Sequence, residues 1–126
     1  MAIYLATFAI SVLFLFLSRR LRYRQLRQLC VIIGILLPAI LAGCRAATIG
    51  VDVSVYAIPS FEQAVHSKNI IAFFSRQRLG GNTDLGFNFI VYAVSLLAND
   101  YHWSLFVYEL IAVWVMYLGM SRLEKQ

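Results

Sequence analysis

Charge is what this 126-residue chain has least of: 13% of its residues are charged against 61% hydrophobic, and six are acidic. With a mean hydropathy of +0.75 this excludes an ordinary soluble domain. Cysteine occurs twice, at Cys30 and Cys44. Near opposite ends of one helix, the two are held about 21 Å apart, well beyond the roughly 7 Å within which a disulfide closes. They lack metal-site spacing and read as small apolar packing residues. Histidine also occurs twice, at His66 and His102, without a second ligand nearby, so both read as solvated loop residues and no metal site is expected. There is no glycine-rich phosphate loop, no Ser/His/Asp arrangement and no paired-cysteine motif, so no cofactor is expected.

What remains is long apolar runs, with room for three or four spans of about 20 residues. The expected fold is an all-α membrane protein, a single membrane-embedded helical unit over residues 1–126 with about four membrane helices and an external loop. The first run, Ile3 to Leu17, is followed rather than preceded by arginines, so it reads as a span and not a cleaved signal. Five of the eleven basic residues, Arg19, Arg20, Arg22, Arg24 and Arg27, crowd into "SRRLRYRQLRQ" with no acid among them. That cluster marks a cytoplasmic loop and puts Met1 outside. It also turns the net charge of +5 into a topology signal rather than a nucleic-acid footprint.

The second helix, 29–43, contains Gly34 and Pro38, which membrane helices tolerate, and it emerges outside. Residues 44–84 then form the external loop. Within it, "SFEQAVHSKNIIAFFSRQRL" alternates at helical spacing and predicts short amphipathic helices on the membrane surface, before a turn at Gly80, Gly81 and Asn82. A third helix, 85–98, is about 21 Å long against roughly 30 Å of hydrocarbon. Its Asn88, Tyr92, Ser95 and Asn99 share one face, which should meet protein or water. "NDYH" makes a tight connection to a fourth helix, 103–120. In the tail, Arg122 and Lys125 favour a cytoplasmic end, whereas a complete third span would place it outside; both topologies stay open.

The stretch "LLPAILAGCRAATIGVDVSVY", Leu36 to Tyr56, carries charge just where the chain leaves its apolar phase. At the helix mouth Arg45 escapes the insertion penalty of about 2.5–3.5 kcal/mol at the bilayer centre. Its planar fork of donors suits a pyrophosphate, or simply snorkels to lipid headgroups. Gly50 permits a tight bend, and Asp52 with Ser54 reads as a helix N-cap, with Tyr56 one turn later. Capping alone accounts for the aspartate; a catalytic or substrate-binding role is the alternative. Glu109, inside the fourth helix, should face the bundle and find a partner, as a functional group or as a hydrogen-bonded structural one.

"LAGCRAATIGVDVSVY" resembles the motif of the EpsG family of membrane polysaccharide polymerases, related to Wzy polymerases. There an arginine ends the second helix and is followed by a T-x-G-x-D element and a tyrosine, matched here by Arg45, Thr48, Gly50, Asp52 and Tyr56. A second block resembles the same family: Asp84, then "GFNFIVYAVSLLANDYHWSLFVYELIAV". The likeness covers about Leu36 to Lys125. Val51 and Val53 stand where hydroxylated residues are expected, and Pro59 interrupts the short helix expected after Tyr56. Family members are typically several times longer, so the chain corresponds to an amino-terminal part.

The resemblance implies a polymerase joining lipid-linked oligosaccharide repeats in exopolysaccharide, capsule or O-antigen synthesis. It would transfer glycosyl groups from a polyprenyl-pyrophosphate donor, as a multi-pass protein of a bacterial plasma membrane working with other polysaccharide-assembly membrane proteins. By the same resemblance Asp52 is the catalytic candidate, and Arg45, Tyr56 and Asp84 bind substrate. Whether this chain is itself an enzyme stays open. Two competing readings are a small four-helix transporter, whose first helix would need a carboxylate that Ile3 to Leu17 lacks, and a non-enzymatic membrane adaptor.

Overall fold

The computed structural model describes residues 2–46, 52–81 and 83–123, all of their regular structure helical. Thr48, Gly50, Val51, Asn82 and Lys125 lie outside the described residues. In chain order the elements are α1 (Ala2–Arg20), α2 (Arg24–Gly43), a π-helical turn (Val53–Ala57), α3 (Ile58–Val65), α4 (Ile70–Leu79), α5 (Leu85–Ser95) and α6 (Tyr101–Leu123). Three of these helices, α1, α2 and α6, are long and apolar enough to cross a membrane, and α5 is a shorter apolar one.

Each long helix outruns its apolar core. α2 starts at Arg24 rather than Leu29 because Arg, Gln and Leu are strong helix formers, so the cationic segment joins the helix. α6 starts at Tyr101 because Asp100 caps it: the His102 amide donates to Asp100 Oδ1 at 3.0 Å. α5 is shorter than expected, 11 residues or about 16 Å. It closes where the Leu97 and Ala98 amides both turn back to the Val94 carbonyl at 2.9 Å, a tightened last turn.

Two compact units share the chain, residues 1–42 with 109–126, and residues 43–108. In the first, α1 and α2 approach closely at Gly34. A Cβ there would sit 2.9 Å from Leu15 Cγ and 3.2 Å from the Ser11 carbonyl oxygen. The missing side chain lets the Ser11 hydroxyl donate to the Gly34 carbonyl across the two helices. In the second unit the core is made by Phe61 and Ala64 of α3, Phe73 of α4, and Val91 and Val94 of α5. The two short helices of the 44–84 segment are therefore more than surface decorations. They fold onto α5, and Phe73, fully buried, stacks on Tyr92 with ring centroids 5.6 Å apart.

That packing accounts for the polar face of α5. Asn88 is 1% exposed, Tyr92 is half-covered against Phe73, and Ser95 donates to the Tyr92 carbonyl at 2.8 Å. Asn99, by contrast, is exposed, because the helix has ended before it.

Candidate functional site

The segment after α2 is built around a widened helical turn. Pro59 has no amide hydrogen, and its ring crowds the carbonyl four residues back, that of Val55. The chain widens before it: the Ile58 amide donates to the Val53 carbonyl, five residues back. Pro59 then occupies the first turn of α3, where a missing N–H is harmless. Pro59 thus begins a helix where the sequence suggested an interruption. Single π turns inside helical stretches are uncommon and recur at functional sites.

The turn has an inside and an outside. Val53, 1% exposed, and Ala57 are buried, and the turn packs on α3. Asp52 is exposed, and Tyr56, four positions on, is 55% exposed. The turn therefore offers a carboxylate and a phenol to whatever lies outside it, on a backbone anchored by two buried apolar groups. Arg45, two residues beyond Gly43 at the end of α2, is half-buried. Gly43 lets the end of α2 pass close to α6: a Cβ there would stand 3.0 Å from Phe106 Cβ.

The two candidate aspartates differ in what they do locally. Asp84 caps α5, its Oδ1 accepting from the Phe87 amide at 3.2 Å on an extended backbone. Asp52 sits at φ −62°, ψ −34°, already helical, and its side chain makes no capping bond. A cap therefore does not account for Asp52. Asp84 lies at the start of α5, and α5 packs on α3 as the π turn does, so α3 is the common support of both segments.

Beneath this surface lies a polar link that sequence reasoning missed. Gln77 of α4 is 4% exposed, donates to Gln63 Oε1 at 3.5 Å, and accepts from the Ser60 hydroxyl at 3.4 Å. The signal was a glutamine at the helical position where the apolar face of α4 continues from Phe73, four residues earlier. A second missed feature is a cleft of about 910 Å³ beside α4, lined by Ile70, Ile71, Phe74, Leu79 and Leu85 together with Arg78. Its walls are apolar apart from one cation and two small hydroxyl residues.

The two histidines differ from expectation in one case. His66 is exposed at the end of α3, its Nδ1 2.7 Å from the Glu62 carbonyl oxygen. His102 is helical and half-covered, with Nδ1 2.6 Å from Asp100 Oδ1. The bond from the His102 backbone amide, reinforced by its ring, holds the Asp100 carboxyl below its usual range. Glu109 is half-buried in α6.

The family model for EpsG matches residues 28–126, more than three quarters of the chain, and runs through the π turn, the core and α6. The chain belongs to the EpsG family. No curated protein and no solved structure matches it. With three helices of crossing length and composition, this EpsG-family chain is a membrane protein. Arg45, Asp52, Tyr56 and Asp84 all fall inside the matched region, whereas α1 and the arginine-bearing start of α2 precede it.

Proposed function

We propose that this EpsG-family chain serves a polysaccharide polymerase that joins lipid-linked oligosaccharide repeats at the outer face of a bacterial plasma membrane. The observation that carries the reading is the family match, whose bounds take in Arg45, Asp52, Tyr56 and Asp84. In this reading the chain crosses at α1, α2 and α6, with the arginine cluster cytoplasmic and residues 44–100 external. Arg45 grips the pyrophosphate of a polyprenyl-linked donor through its planar donor fork. Asp52 takes the proton of the acceptor sugar hydroxyl, or orients that hydroxyl, as the new glycosidic bond replaces the sugar–phosphate bond. Tyr56 and Asp84 contribute to sugar binding.

Two features of the described residues support this. Asp52 is exposed and free of capping duty, so its acceptor capacity faces outward. The apolar cleft beside α4, with Arg78 in its wall, suits a ligand that joins a hydrocarbon chain to an anionic group.

The test is polymer made by cells that depend on this chain, measured as length and yield beside the membrane level of each variant. Arg45→Lys should fail nearly as badly as Arg45→Ala, because an ammonium keeps the charge but loses the bidentate fork. Asp52→Asn should leave a membrane-inserted protein that makes no polymer. Near-normal polymer from both Arg45→Lys and Asp52→Asn would overturn the reading.

A further inference from the structure

The five arginines around the α1–α2 connection read first as a topology signal, but the fold does something more selective with two of them. In the unit formed by residues 1–42 and 109–126, a cleft of about 890 Å³ opens among the end of α1, the start of α2 and the end of α6. Arg19 lines it from α1, Arg27 and Gln28 from α2, and Tyr117 from α6. Arg20, Arg22 and Arg24, in the same cluster, do not; the Arg20 guanidinium instead stands 5.4 Å from the centroid of the Phe16 ring.

The lining grades from polar to apolar along α2. Val31 and Ile32 line the cleft four and five residues beyond Arg27, about 6–7.5 Å further along the helix, toward its hydrophobic middle. The serine hydroxyls at the cleft are engaged with their own helices, Ser18 with the Leu15 carbonyl at 2.7 Å and Ser121 with the Leu118 carbonyl at 2.9 Å. Two guanidinium groups, an amide and a phenol also line the cleft, and all of these groups can donate hydrogen bonds.

The charge balance at this end is one-sided. Among the described residues of these three helix ends and the α1–α2 connection there are six arginines and no acid. Glu109 lies about 12 Å along α6 from Tyr117, too far to neutralise the cleft. A cleft with cationic donors at one end and aliphatic walls at the other fits a phosphate group that carries hydrocarbon, more than a free anion that would leave the apolar walls unused.

We propose that the cleft among α1, α2 and α6 binds the phosphate headgroup of an anionic phospholipid, with Arg19 and Arg27 on the phosphate and Val31 and Ile32 against the start of the acyl chains. The site belongs to the cytoplasmic leaflet, and it is independent of the polymerase reading, since none of its residues belongs to the candidate site around the π turn.

Native mass spectrometry of the full chain in detergent tests this, with phosphatidylglycerol and phosphatidylethanolamine of identical acyl chains added separately. The parent should retain phosphatidylglycerol about thirtyfold better, the order expected from two cationic contacts. Arg19→Gln with Arg27→Gln should bring that ratio close to one, while Arg22→Gln with Arg24→Gln, which removes the same charge, should leave it unchanged. Ile32→Trp supplies a variant without charge change at an exposed position, so folding is spared. By filling the cleft from its apolar side it should also abolish the preference. Equal retention of the two lipids by the parent, or equal loss in the two arginine pairs, would mean that only the general positive field acts and would overturn the site. Inorganic phosphate displacing the lipid at equal concentration would overturn the lipid assignment in favour of a soluble anion.

Discussion

Asp52 and Asp84 both look like helix caps in the sequence, and the structure separates them in a way that stability measurements can check. Asp84 accepts a bond from the Phe87 amide, and losing a cap of this kind costs about 0.5–2 kcal/mol. The group is exposed and its bond, at 3.2 Å, is at the long end of the N–H···O range, so Asp84→Ala should fall in the lower half, about 0.5–1 kcal/mol. Asp84→Asn should be near neutral, because asparagine caps as well as aspartate. Asp52 makes no such bond and is exposed, so Asp52→Ala should stay within about 0.5 kcal/mol of the parent, as surface substitutions do. Denaturant unfolding in detergent, followed by far-UV circular dichroism, gives the free energies. Hydrogen exchange at the Phe87 amide gives the local effect, which should rise in Asp84→Ala alone. A loss of about 1 kcal/mol or more in Asp52→Ala would refute the argument, since it would show a structural role that the geometry denies. So would an Asp84→Asn variant as damaged as Asp84→Ala. If the energetics hold, polymer loss in Asp52 variants reflects chemistry rather than unfolding.

Two further outcomes are expected. Gly34→Ala should destabilise by about 1–3 kcal/mol through overpacking against Leu15 and the Ser11 carbonyl, and Leu15→Ala in the same chain should recover part of that loss; additive effects in detergent unfolding would show that the close approach is absent. Exposed Cys44 should react with a membrane-impermeant thiol reagent on intact cells, whereas a probe made by Ser121→Cys in a Cys44→Ser background should be protected until the membrane is opened; labelling of Ser121→Cys from outside would contradict a cytoplasmic end for α6.

Much of this protein was written locally. Membrane spans depend on runs of apolar residues, so α1, α2 and α6 were legible without a fold. The short helices of the 44–84 segment were legible too, because periodicity at helical spacing is a property of consecutive residues. So was family membership, since the T-x-G-x-D element and its tyrosine are a linear pattern. Helix ends were less so: α5 stops at Ser95 because backbone amides find the Val94 carbonyl, a choice invisible in residue type.

What required tertiary structure was everything that joins distant residues. Phe73 and Tyr92 are nineteen positions apart, and only the fold stacks them; only the fold buries Asn88 as well. The π turn arises from a contest between Pro59 and the carbonyl four residues before it, and its result, an outward Asp52 without a cap, reversed the simplest reading of that aspartate. The side of the carboxyl terminus was undecided by Arg122 and Lys125. Only the fold shows the end of α6 beside the arginine cluster: Tyr117 and Ser121 line one cleft with Arg19 and Arg27. Composition counts charges along a chain, but electrostatics and packing act through space, and only the folded helices bring those charges to one end.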